Sequence, residues 1–277
     1  MTQPPKLTDR ARLAQNRART RPDGLFLHDI AADQIKERLE EVNRTFTDIA
    51  IVTGQPDFWA TRFPGATIVA DDDALALPPE RFDLVLHALA LHWADDPVGQ
   101  LVQCRRALRP DGLFMAVTFG GQTLSELRTI LAEVETRQTG GLAPRVAPMA
   151  EIRDLGGLIQ RAGLAQPVAD SDTLRVSYPA LTALLKDLRA MGEGNALAAR
   201  HPKPLSRALL DSATRLYADS FPHPDDPARI RATFDMIFLS GWAPHESQQQ
   251  PLRPGSAQTR LADALAAARD DSPQSGD

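Results

Sequence analysis

The sequence has one cysteine in 277 residues, Cys104, so no internal disulfide can form and the composition suits a reducing compartment. Cys104 falls in an apolar-periodic stretch and reads as a packing residue. No apolar run approaches the roughly 20 residues that a membrane-spanning helix needs, so no membrane span is expected. Positive charge is not in excess: 31 Lys and Arg face 36 Asp and Glu, a net charge of -5, and no nucleic-acid partner is expected. There is no G-x-S-x-G elbow, no Walker loop and no C-x-x-C, which sets aside hydrolase, nucleoside-triphosphatase and dithiol chemistry. The opening MTQPPKLTDRARLAQNRART lacks an apolar h-region, so a secretory signal is not expected. Also missing is a glycine-rich nucleotide loop. "VTGQPDFW", residues 52–59, stands where one would be, with Gly54 alone and Pro56 two residues later.

What is present is enough for a core, at 43% hydrophobic residues, and a regular alternation of elements. Residues 8–20 read as a basic helix whose Arg10, Arg12, Arg17 and Arg19 form a solvated or phosphate-tolerant face. Residues 25–43 follow as a second helix, with apolar residues near a 3.6 spacing. Strands are expected at 49–52, 67–70, 82–87 and 113–119, with helices at 57–63, 97–108 and 122–138. Such alternation means a parallel sheet with crossover helices, and a ligand outside the carboxyl ends of its strands. Beyond Gly140-Gly141 the reading gives helices at 149–162, 179–191 and 204–220, a hairpin over 168–178 and a strand at 230–239. Four segments are expected: 1–43 helical, 44–141 the sheet core, 142–258 an extension completing and covering the sheet, and 259–277 a tail with a disordered end.

"FDLVLHALALHW" (82–93) and "RALRPDGLF" (106–114) carry the chemistry-bearing pattern. A strand reading FDLV, a helix, and a Pro–Gly turn into the next strand together resemble the class I S-adenosylmethionine (SAM)-dependent methyltransferases. Longer stretches, "FGGQTLSELR", "YPALTALLKDLRAMGEGNA" and "GWAPHESQQQPLRPGSA", resemble one branch of that superfamily. This branch contains the respiratory complex I assembly factor implicated in arginine hydroxylation, beside the malonyl-carrier-protein methyltransferases of biotin synthesis. The resemblance runs over roughly residues 7–258.

This resemblance implies an α/β, Rossmann-like, mostly parallel sheet, one β-α unit short, with N-terminal helices and a C-terminal α+β extension. It implies SAM as cofactor, with Gly54, Asp71, Asp72, Leu86 and His87 as the positions that would meet it. The spacing leaves two placements for Asp71. It is either the acid that grips the ribose or, with the second strand and helix missing, the adenine-facing residue; the acid-rich run into FDLV favours the second. The glycine loop and ribose acid read as lost, which leaves two outcomes open for SAM: bound through a rebuilt site, or lost with them. His92, Trp93, Trp242, His245 and Arg253 are the candidates for contact with a substrate or partner, either a complex I subunit or another protein. No metal site is expected, since no ligand spacing stands out among the histidines. Two functions are open: a SAM-dependent protein of the assembly-factor branch, or a catalytically inactive binding protein on the same scaffold. If the second holds, Phe58, Trp59 and Phe63 are expected to fill the cofactor pocket. The location is cytoplasmic in a bacterium and the mitochondrial matrix in a eukaryote.

Overall fold

A computed structural model describes residues 6–248. In chain order the elements are α1 (Arg10–Arg17), α2 (Phe26–Glu41), β1 (Ile49–Thr53), α3 (Pro56–Arg62), β2 (Thr67–Ala70), β3 (Phe82–Ala88), α4 (Pro97–Ala107) and β4 (Leu108–Gly120). There follow α5 (Ser125–Thr139), α6 (Ile152–Arg161), β5 (Ala165–Tyr178), α7 (Leu181–Ala190), α8 (Arg207–Ser220), β6 (Pro222–His223) and β7 (Asp226–Trp242). Helix starts follow local chemistry. Asp9 caps α1 by accepting from the Arg12 amide at 2.9 Å. Asp96 caps α4 at the Gly99 amide, with Pro97 in the first turn. Ser206 caps α8 at the Leu209 amide.

Strands β2, β1, β3 and β4 pair side by side in parallel, and β7 and β5 continue the sheet antiparallel beyond β4. Residues 71–81, between β2 and β3, contain no helix, which is the missing β-α unit. Along β3 the side chains alternate. Leu84, Leu86 and Ala88 enter the core shared with α2, α5, α7 and α8, while Val85 enters the one shared with α4 and α6. Both faces are therefore buried, and FDLVLHA reads as nearly continuous apolar sequence.

Two expectations are corrected here. Residues 168–178 are not a hairpin. They lie in the single strand β5, which pairs with β7 from Ala165 to Tyr178. The Asp170-Ser171-Asp172 run looks like a turn in sequence. On an edge strand its two acids share one face, and Arg38 of α2 binds both. The strand expected at 230–239 is also longer, because β7 runs from Asp226 to Trp242. Compact units divide the chain between Pro244 and His245.

Candidate functional site

The carboxyl ends of β1, β2, β3 and β4 form the edge where a ligand would lie, and α1 packs over it. Leu13 of α1 is buried with Trp93, Ala147, Ala196 and Leu197. The amides of Leu7 and Thr8 donate to Asp95, and Thr8 bridges to Leu197. Arg10 and Arg17, seven residues apart, lie on one stripe of this helix. Arg17 reaches both carboxylate oxygens of Asp71, at 2.6 and 3.1 Å. Arg10 donates to the Asp71 carbonyl at 2.5 Å and to its carboxylate at 3.4 Å. These two arginines are therefore not a solvated face. Burial pushes the Asp71 carboxyl up, but the hydrogen bond and charge of Arg17, then Arg10, prevail and hold it below its ordinary value.

Asp71 ends the strand that pairs directly with β1. No strand lies between β1 and β2, so by strand order Asp71 stands where the ribose-acid placement would put it, not where the favoured adenine-facing placement would. The glycine beside it is covered: a Cβ on Gly54 would overlap the Arg17 guanidinium. The space that the resemblance assigns to SAM is filled by this chain's own cation, and its acid is already paired, so the residues of this corner do not fit SAM as folded. The expected aromatic filling is not what does this. Trp59 is fully buried, donates to His28 at 3.1 Å and stacks on Phe63, on the α2 side of the sheet. Leu86 and His87 are likewise fully buried. His87 contacts Gln100 at 2.9 Å, and Gln100 in turn donates to the carbonyls of Asp71 and Asp72. Burial lowers His87 to about 4 despite the opposing pull of Gln100 and Asp71, so the ring is neutral at pH 7. Asp72 is exposed and meets Arg10 at 3.6 Å.

Beside this corner a cavity of about 600 Å³ opens between α1, the loop after β3, the start of α5, the end of α7 and residues 200–205. His92 and Trp93 line it, so the edge brings these two candidates together. Both bind one oxygen of Glu193: the Trp93 indole donates to Oε2 at 2.8 Å, and His92 Nε2 lies 3.1 Å from the same atom. The His92 ring packs 5.0 Å from that of Phe119. Glu193 is carried there by Gly192, whose φ of +83° turns the chain sharply after α7. Burial pushes the Glu193 carboxyl up, yet His92, Arg17 and the Trp93 indole overcome this and hold it below its ordinary range. The carboxylate is charged at neutral pH, and its Oε1 has no hydrogen bond within residues 6–248.

Trp242, His245 and Arg253 are the remaining candidates. Trp242 pairs opposite Leu113, at the amino end of β4, where Arg44 sits 5.7 Å from its ring, so it is at the wrong end of the sheet for the cavity. His245, in the unit that begins there, is exposed and contacts Ser247 at 2.7 Å. Arg253 lies outside the described residues. Glu193 was missed in the sequence. Its signal is the acid between two glycines in MGEGN, just past a helix end. Among the described residues no three His, Cys, Asp or Glu are grouped to hold a metal, and no helix is long and apolar enough to cross a membrane.

Comparison with known proteins gives a consistent family. A methyltransferase domain model matches residues 30–116. The arginine-hydroxylase NDUFAF5, mitochondrial, of Danio rerio is 33% identical over 254 residues, 92% of this chain and 72% of that protein. Its Rattus norvegicus counterpart is 34% identical, over 92% and 67%. The malonyl-[acyl-carrier protein] O-methyltransferase of Halorhodospira halophila is 34% identical over 63% of this chain and 57% of its own. A Haemonchus contortus phosphoethanolamine N-methyltransferase 2, solved with S-adenosyl-L-methionine, superposes with a TM-score of 0.42 at 13% identity, over 77% of this chain and 53% of that one. On its similarity to NDUFAF5 over most of both chains, the protein belongs to the class I methyltransferase superfamily, in the branch of the NDUFAF5 arginine hydroxylases.

Proposed function

We propose that the protein receives an arginine side chain of a partner protein in the cavity floored by Glu193, Trp93 and His92, as an assembly protein of respiratory complex I. The observation that carries this is the Glu193 carboxylate. It is charged, only 10% exposed, held through Oε2 and without a hydrogen bond to Oε1 within residues 6–248, and the residue lines the cavity. A buried carboxylate among aromatic rings is a receptor for a guanidinium, which pairs in plane with the oxygen and stacks on the rings. Trp93, Phe119 and Phe234 supply aromatic walls. The names of the relatives, arginine hydroxylases, support the same residue type. In a eukaryote this reading puts the protein in the mitochondrial matrix, and in a bacterium in the cytoplasm.

The test is fluorescence anisotropy with a labelled peptide carrying one arginine, against the full chain and Glu193→Gln. The substitution keeps shape and an acceptor for the Trp93 indole but removes the charge. Loss of about tenfold or more in affinity is expected, the scale of one charge-assisted pair. Equal binding by both proteins, or by a peptide with glutamine for arginine, would sink the reading.

A further inference from the structure

Around the same cavity the charge is reversed. Its rim carries Arg12, Arg19, Arg189 and Lys203, drawn from α1 and the turn after it, α7, and the segment before α8. Two further rim arginines already have acids, Arg145 with Glu135 and Arg200 with Asp9. The first four have no acidic partner within the described residues. Arg19, Arg189 and Lys203 are exposed and Arg12 is half-buried. Four unmatched cations around one opening are notable on a chain of net charge -5, since random placement would mix them with the acids. Elsewhere at this edge the arginines are matched, as Arg10 and Arg17 are by Asp71.

Resting on the reading of Glu193, we propose that the rim selects the segment around the incoming arginine: the partner presents that arginine flanked by acidic residues. A lone guanidinium approaching this opening meets four like charges before it reaches one carboxylate. A segment with acids beside its arginine satisfies both layers, the flanks pairing with the rim and the arginine with Glu193. Such complementarity guides approach and rejects wrong partners more than it adds contact energy, so the preference fades as salt rises.

Three labelled peptides test this against the full chain at low salt: one arginine between aspartates, one arginine between serines, and glutamine between aspartates. The variant Arg19→Glu/Arg189→Glu alters only exposed side chains, and a circular dichroism melt checks that it folds. The acid-flanked arginine peptide is expected to bind about tenfold tighter than the serine-flanked one. That advantage is expected to disappear in the charge-reversed variant, where the serine-flanked peptide binds at least as tightly as to the wild-type chain, and to shrink in high salt. Equal binding of the first two overturns the rim's role and leaves the arginine reading standing. Tight binding of the glutamine peptide supports the rim and removes the arginine reading. No binding by any peptide overturns both.

Discussion

The corner at Gly54 and the cavity at Glu193 share one sheet edge and one covering helix, yet they are built in opposite ways. At the corner the charges are matched: Asp71 holds Arg17 and Arg10, and the guanidinium lies against the one glycine of the loop. At the cavity a carboxylate oxygen has no hydrogen bond and four cations have no acidic partner within the described residues, and the opening they line has a volume of about 600 Å³. Matched, buried charges close a surface and fix the register of the elements that carry them. Unmatched charges beside an opening are left for something from outside. The helical period makes the division. Arg10 and Arg17 share the stripe facing Asp71, whereas Arg12 and Arg19, also seven apart, line the opening.

The comparison breaks most sharply at Arg17. Arg17→Ala leaves a carboxylate that is 5% exposed with only the 3.4 Å contact to Arg10, and should cost about 3 kcal/mol, read as a shift of the urea midpoint at constant slope. A loss under about 1 kcal/mol would mean that the corner is open to water and not a seal. Titration calorimetry with SAM sharpens the same point. The wild-type chain should give no binding heat up to millimolar ligand, and micromolar binding would show that Arg17 moves aside.

Acid separates buried groups by sign. His28 and His87 are both lowered to about 4 from an ordinary 6.5, chiefly by burial. The unfolded chain therefore binds more protons between these values, and stability should fall as pH drops from 6.5 towards 4, by about 1.4 kcal/mol per pH unit for each ring. Asp71 and Glu193, held below their ordinary values, should keep their contribution above pH 4.5 and lose it only as pH falls further. Urea unfolding across that range checks this, and a flat profile from pH 6.5 to 4.5 would show that the two rings are solvated. The smallest effect should come from the far edge of the sheet. Arg38→Ala removes contacts to two half-exposed acids and a stack over Phe238 at 3.7 Å, with an expected cost near 1 kcal/mol by thermal melt.

Much of the fold was legible because local chemistry set it. Pro97 at the start of α4 and the apolar run of β3 are local signals, and these elements formed where they stood, whereas β4 begins at Leu108, five residues ahead of the strand expected after the RPDG turn. The position of His92 and Trp93 was legible for a related reason: they follow the carboxyl end of a parallel strand, and both line the cavity there. The 168–178 hairpin misled, because the pairing of an edge strand is not a local fact, and the place of Trp242 opposite Leu113 is tertiary too. Glu193 was hidden for the same cause, standing a hundred residues from Trp93 in the chain and 2.8 Å from it in space.

By itself the sequence determined the alternation of strands and helices and the shortage of one β-α unit, since these depend on periodicity, turn residues and spacing, while the family followed from resemblance of longer stretches. Only the tertiary structure decided which arginine meets which acid. Side chains reach over several ångströms and pair across elements far apart in sequence, and a basic helix reads the same whether its charges close a corner or ring an open cavity.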